Sequence, residues 1–486
     1  MRLYIFSLAL FLQACNSTPS ERQPRPSGLP GETLAKMHCS SCHRYVGPEM
    51  LDKTTWQNKT LPEMGLRLGM GDVFQKNVLQ VQQGTENLVY QNIYPLTPRL
   101  HEEDYQKILK YYLDNAPEKP LPQAKKPSLI KEMKDWKFEP ILVSEGFQHN
   151  TTALGFNPKT SEIWAGSPRG EVQIFGKEAR VLQEPGVFSV IRHLEGTDYL
   201  LDLGLLGPHE KEKGKLIKAD GTLILDHLHK PADFALLDVN EDGIKDYVVC
   251  NFGFETGNLS WYDGKTKKAN TIKELPGARN IVVEDMDGDG RKDLVVLFAQ
   301  AWEGISVFYN KGKGKFKEEE VLQFSPVYGS SWFELADFNG DGKKDILYVN
   351  GDNADYSGTL KPYHGIRIFE KQDKKYKQTY FYPMYGATHA RAVDFDGDGD
   401  LDIAAIAYYR KDAEEGFVYL ENKGKYQFQP YTFPEVNFGQ WMVMEIGDYN
   451  KDGRPDIFLG AHDLARKPQI VKTPTEVGVL LNLLSF

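Results

Sequence analysis

Two hydrophobic patterns divide this chain. Across residues 31–116 the apolar positions recur at helical spacing. Residues 31–45 read as one helix, and HEEDYQKILKYYLDN sets Tyr105, Ile108, Leu109, Tyr112 and Leu113 on one face of another. From 140 to 486 the pattern is short β-type runs, such as ARNIVVED and DLVVLF, separated by turns rich in Gly and Asp. The two regions meet at a linker, 117–139, which includes most of the Pro- and Lys-rich stretch 115–128. The expectation is a multidomain protein, with a small all-α domain followed by an all-β domain. A further apolar run, Leu3 to Leu12, is too short to span a bilayer.

The β region repeats. The pattern D-x-[DN]-x-D-G-x-x-D occurs as DVNEDGIKD (238–246), DMDGDGRKD (285–293), DFNGDGKKD (337–345), DFDGDGDLD (394–402) and DYNKDGRPD (448–456), with starts 47 to 57 residues apart. A period of this length predicts a propeller or an array. A Gly-led strand recurs seven times, at Gly170, Gly214, Gly257, Gly304, Gly365, Gly416 and Gly478, which predicts seven blades. Two of these lack an intact acidic loop, and Phe156-NPKTSEIW reads as a degenerate one.

Carboxylates at positions one, three, five and nine of a tight loop are hard oxygen donors suited to Ca²⁺, and Gly at position six permits the turn. The expected calcium ligands are Asp238, Asn240, Asp242 and Asp246; Asp285, Asp287, Asp289 and Asp293; Asp337, Asn339, Asp341 and Asp345; Asp394, Asp396, Asp398 and Asp402; and Asp448, Asn450, Asp452 and Asp456. An EF-hand would need Glu at position twelve, where this chain has Val249, Val296, Tyr348, Ala405 and Leu459. The region resembles the FG-GAP or VCBS repeats of integrin-α-like β-propellers. That resemblance implies a seven-bladed propeller in which about five Ca²⁺ ions brace the inner hairpins.

The helical region carries Cys39-Ser40-Ser41-Cys42-His43, the spacing of covalent c-type haem attachment. Both thiols would bond the haem vinyl groups, and His43 would supply the proximal imidazole. Zinc would need a second ligand pair, which the sequence lacks, and a thioredoxin-like motif should follow a strand. With its terminal helix pairing, 31–116 resembles a class I-type cytochrome c. Met64 is the favoured sixth ligand, with Met70 the main alternative and Met50 and His101 further ones.

The N-terminus, with Arg2, the apolar run and Leu12-Gln13-Ala14-Cys15, resembles a bacterial lipoprotein signal peptide. The resemblance implies cleavage of 1–15 before a lipidated Cys15, a flexible tether at 16–30, and a membrane-anchored protein of the cell envelope. Outer-membrane placement follows by the same resemblance, because Asn16 is not the Asp that marks inner-membrane retention in enteric systems. Of four cysteines, Cys250 alone has no assigned chemistry, and its apolar surroundings predict a buried thiol. The net charge of −10 would approach neutrality with five Ca²⁺ bound, and no basic stripe points to nucleic acid.

If the acidic loops join first and second strands, the remaining connections share the opposite face. That face is expected to hold a ligand site drawn from His364, His389, His462, Trp332, Trp441 and Arg391, of which His389, Trp332, Trp441 and Arg391 lie with Arg279 and His149 in blade-to-blade loops. The same face includes Glu255, Trp302, Tyr356 and Asp463. No catalytic set stands out. The expected function is a lipid-anchored haem c electron-transfer protein whose propeller binds a redox partner or ligand. The alternatives are a haem-linked dehydrogenase with the propeller as substrate domain, and a surface adhesion or glycan-binding propeller.

Overall fold

The inner strands of seven four-stranded antiparallel sheets surround one axis. The computed structural model describes residues 24–70, 93–95, 97–141, 150–207, 209–353, 358–373, 375–462 and 477–483. The inner strands are Ala153–Asn157, Phe188–Leu194, Pro231–Leu237, Ala278–Glu284, Ser330–Ala336, Ala387–Val393 and Trp441–Gly447, here blades 1 to 7. Each blade is a meander in chain order except the last. There, Trp136–Ile141 pairs antiparallel with Val477–Asn482 as the outer strand, with Phe138 opposite Leu480. The first propeller strand thus completes the last blade, closing the ring with backbone hydrogen bonds and removing its open edge. It begins at Trp136, inside the stretch read as linker.

Seven apolar clusters lie in the seven seams between neighbouring blades. This explains why the second strands read as unbroken apolar runs. In Asp293–Phe298, Leu294, Val296 and Phe298 enter the seam with blade 3, while Val295 and Leu297 enter the seam with blade 5. Side chains alternate faces along a strand, and here both faces are buried. All seven Gly-led runs become third strands. Blade 2 replaces the acidic loop with a two-residue turn, Glu195-Gly196, both at positive φ (50° and 81°).

The N-terminal region forms a small helical unit. Helix α1 (Gly31–Cys39) is followed by α2 (Lys53–Thr55), a π-turn over Trp56–Thr60, α3 (Leu61–Arg67) and α4 (Glu102–Asn115). Asp52 caps α2 by accepting from Thr55 N at 3.0 Å. Helices α1 and α4 cross so closely that a Cβ on Gly31 would collide with the Lys107 carbonyl. Their shared core holds Leu34, Ala35, Trp56, Met70, Ile108 and Tyr112. Trp56 and Tyr112 pack at 4.4 Å, and each polar tip is satisfied: Trp56 Nε1 donates to Pro48 O at 2.8 Å and Tyr112 Oη to Val46 O at 2.7 Å.

This unit rests on the propeller face opposite the acidic loops. Glu255, between the second and third strands of blade 3, accepts from Arg67 Nη2 and Tyr94 Oη, both at 2.5 Å. The corresponding loop of blade 5 donates from Thr359 Oγ1 to Asp52 at 2.9 Å and from Tyr363 Oη to Met50 O at 3.3 Å. Val327, between blades 4 and 5, packs on the helical core. Among the described residues, no helix is long and apolar enough to cross a membrane.

Candidate functional site

Each acidic loop connects the first and second strands of its blade, in blades 3 to 7. The loops share one backbone conformation. Position six is left-handed in all five (Gly243 φ 83°, Gly290 86°, Gly342 80°, Gly399 95°, Gly453 86°), as is position four (Glu241 64°, Gly288 75°, Gly340 70°, Gly397 74°, Lys451 63°). The left-handed turns aim backbone N–H groups at the position-one carboxylate. Asp285, for example, accepts from Gly288 N at 2.7 Å and Gly290 N at 2.9 Å. The position-five carboxylate likewise accepts from the N–H two residues on, as in Arg291 N to Asp289 at 2.9 Å.

Ligand oxygens of Asp285, Asp287 and Asp293 lie within 4.8 Å of one another, as do those of Asp394, Asp396 and Asp398. The clustering has an electrostatic cost. Asp396 is pushed above the usual carboxylate range by burial and by Asp398, Glu421 and Asp394. Arg291, Lys311, Lys343 and Arg454 offset part of this charge in neighbouring loops. A divalent cation at the centre would do so directly. The other three loops repeat the arrangement with Asn240, Asn339 and Asn450 at position three.

Position nine has a second role, which its spacing does not reveal. Asp246, Asp293, Asp345, Asp402 and Asp456 are fully buried at the start of each second strand. One oxygen of each accepts from the residue after position one, and the other from the third strand or, for Asp246, from Gly264 two residues past it. Burial pushes Asp402 up to about 7. Asp402→Ala strands Phe395 N, Asn422 N and Tyr419 Oη, its donors at 3.2, 2.8 and 2.7 Å. It is expected to cost about 3 kcal/mol or more, read as a lower urea midpoint, with Asp402→Asn milder.

The residues expected on the ligand face separate into two groups. Arg279, Trp332, His389, Arg391 and Trp441 lie in inner strands, not in blade-to-blade loops, because each inner strand begins earlier than its acidic loop suggests. Trp332 and His389 stack at 3.8 Å, and Arg391 bridges Glu334 at 3.6 Å and Glu445 at 2.6 Å. On the other side of the axis, Asp233 takes hydrogen bonds from Arg192, Asn280 and Ile281 N. These axial carboxylates and Arg192 carry no local sequence signal, since only closure of the ring brings them together. His364 and His462 lie outside the inner strands and are buried, and Trp441, though in an inner strand, is buried as well, its Nε1 donating to Val436 O at 2.8 Å. His149, Tyr356 and Asp463 lie outside the described residues.

Burial holds His364 and His389 well below the usual imidazole range, helped by Lys361 and Arg367 for the first and by Arg391 and Arg279 for the second. Both stay neutral in the fold, while the unfolded chain takes up protons below about pH 6.5. Stability is therefore expected to fall as pH drops through that value, by about 1.4 kcal/mol per pH unit for each histidine. Urea midpoints measured across this range would show the slope, and His364→Phe should reduce it.

In the helical unit, α1 ends at Cys39, which is half-buried beside Tyr112, and Cys42 is exposed in the next turn. Burial raises the Cys39 thiol. His43 Nδ1 lies 2.7 Å from Arg44 O, so the tautomer donating there leaves Nε2 with a free lone pair. Burial lowers the His43 imidazole, opposed by that backbone bond and assisted by Arg67. Met70 is 8% exposed within the helical core, whereas Met64 is half-buried on α3. Met50 sits at the core's margin, and His101 caps α4, its Nδ1 accepting from Glu103 N at 3.1 Å. Cys250 is buried, as its apolar run implies. Cys15 lies outside the described residues.

The fold and its loops define a seven-bladed β-propeller with acidic loops on one face. Residues 238–296, 285–348 and 394–459 match the sequence model of the FG-GAP-like repeat, and these stretches include all five acidic loops. The chain is 30% identical over 145 residues to integrin alpha-PS5 of Drosophila melanogaster, covering 26% of this chain and 14% of that one. It is 25% identical over 246 residues to integrin alpha-V of Gallus gallus, covering 47% and 19%. The matched regions span between 13% and 19% of the length of these curated relatives. Among solved structures, the N-terminal domain of Nup159 aligns with a TM-score of 0.43 at 10% identity, covering 74% of this chain and 99% of that one. U3-55K aligns with a TM-score of 0.45 at 10% identity, covering 72% and 99%. The chain therefore folds as a seven-bladed propeller whose acidic loops match the FG-GAP-like repeat, and part of it is similar in sequence to integrin α chains.

Proposed function

We propose that this protein is a c-type haem electron-transfer protein of the cell envelope, held by an N-terminal lipid on Cys15, whose calcium-braced propeller binds a redox partner or ligand. The observation that carries the redox half is the Cys39, Cys42 and His43 set at the end of α1. The Cys39 thiol stands at the margin of an apolar helical core, Cys42 is exposed in the turn after it, and the Arg44 carbonyl orients the His43 imidazole. This donor set fits haem c, with Cys39 and Cys42 as attachment points and His43 and Met64 as axial ligands. Bound there, haem would supply one-electron chemistry. Met70 is already engaged in core packing, which supports Met64 as the sixth ligand.

The acidic loops fit Ca²⁺ through their hard oxygen donors and through backbone N–H groups that hold those carboxylates in place. Because they sit at the hairpin between first and second strands, the role we assign to the ion is to brace the blade. The likeness to integrin α chains supports ligand binding by the propeller. The helical unit occupies part of the face expected to bind, leaving the axial wall around Trp332, His389 and Arg391 as the candidate contact region.

The test is a reduced-minus-oxidised spectrum of protein matured with the c-type haem machinery. A covalent haem c signal with a methionine–iron band supports the reading. Protein without covalent haem would leave a ligand-binding propeller and refute the redox half.

A further inference from the structure

We propose that Trp302 lies against the edge of the cofactor attached at Cys39 and Cys42, so that this cofactor sits in the seam between the helical unit and blades 3 and 4. The inference rests on the haem reading above and places its site.

Trp302 follows a turn between the second and third strands of blade 4 and is 46% exposed. That turn is strained. Gln300 and Ala301 both adopt left-handed φ, at 56° and 70°, and Trp302 N donates to Ala299 O at 3.2 Å. Such a turn ordinarily takes Asn-Gly, because a Cβ strains the left-handed backbone. Strain of this kind persists where the surroundings enforce it and is often tied to function. Here it presents a large apolar side chain.

The position of the loop indicates what would cover that side chain. The helical unit grips blade 3 through Glu255 on one side, and blade 5 through Thr359 and Tyr363 on the other. Val327, in the connection leaving blade 4, packs on the helical core. Blade 4, which carries Trp302, lies between blades 3 and 5 in the ring. The cysteine-bearing turn lies toward the same blade, because Arg44, next to His43, comes within 3.8 Å of Glu320 on the outer strand of blade 4. A half-exposed Trp on the blade between those contacts matches the flat apolar edge of a porphyrin, which would exclude water from both.

The test uses full-length, haem-loaded protein. Hydroxyl-radical footprinting read by mass spectrometry compares Trp302 with Trp441, which is 0% exposed. Trp302 is expected to label almost as slowly as Trp441. Trp302→Ala is expected to lower the haem midpoint potential, because water reaching the haem edge stabilises the more charged ferric state, and Trp302→Phe should restore most of the difference. An intact covalent haem spectrum with Trp302 labelled several-fold faster than Trp441 overturns the placement. So does a Trp302→Ala potential equal to wild type. Absence of covalent haem overturns the haem reading itself, and that outcome is visible in the spectrum before any labelling.

Discussion

Stripping divalent cations with EGTA is expected to lower the melting temperature of the propeller sharply and to leave any covalently attached haem in place. Five loops gather carboxylates close together, and Asp396 is held above the usual carboxylate range by burial first and by its acidic neighbours in addition. A cation at about a hundred times its dissociation constant stabilises the fold by about 2.7 kcal/mol per site. With all five sites emptied, the midpoint should fall by roughly 15 °C. Calorimetry with and without EGTA, followed by calcium re-addition, measures this. A single-site variant, Asp287→Ala, should lose about a fifth of the effect. Its other neighbour, Lys311, would lose an ion pair, but that pair is half-exposed and contributes little. A melting curve indifferent to EGTA would refute calcium bracing.

Loss of both attachment thiols, Cys39→Ser with Cys42→Ser, is expected to abolish covalent haem entirely while leaving the propeller melt nearly unchanged. The seven inter-blade clusters contain neither residue, so the propeller core does not depend on them. The two methionines should then behave differently. Met64→Ala should remove the methionine–iron band and lower the potential, with modest loss of stability. Met70→Ala should retain the band and destabilise the helical unit by about 2–5 kcal/mol, the cost of truncating a buried core side chain. The reverse pattern would assign ligation to Met70. Haem retained after loss of both thiols would show that it is not bound as proposed.

The propeller was largely legible in the sequence because its determinants are local and repeated. The Gly-led third strands count the blades, since every blade must turn at the same place. The acidic loops mark the hairpin between first and second strands, since only that hairpin needs left-handed residues at positions four and six. The doubly apolar second strands, such as Asp293–Phe298, record burial on both faces. The contact between α1 and α4 was legible for a similar reason, because one helical stripe requires another to cover it.

Several features were settled only by the tertiary structure. The outer strand of blade 7 comes from Trp136–Ile141, far away in sequence, because ring closure is a property of the whole circle. The inner strands begin earlier than spacing suggests, which moves Trp332, His389 and Arg391 from loops to the axis and buries Trp441. The axial contacts join blades about 50 residues apart, such as Arg391 with Glu334 and Glu445, and no local pattern encodes them. The seating of the helical unit through Glu255 is of the same kind. Repeating local geometry leaves a periodic trace in a sequence, whereas a contact made once between distant segments leaves none, and only the folded chain shows it.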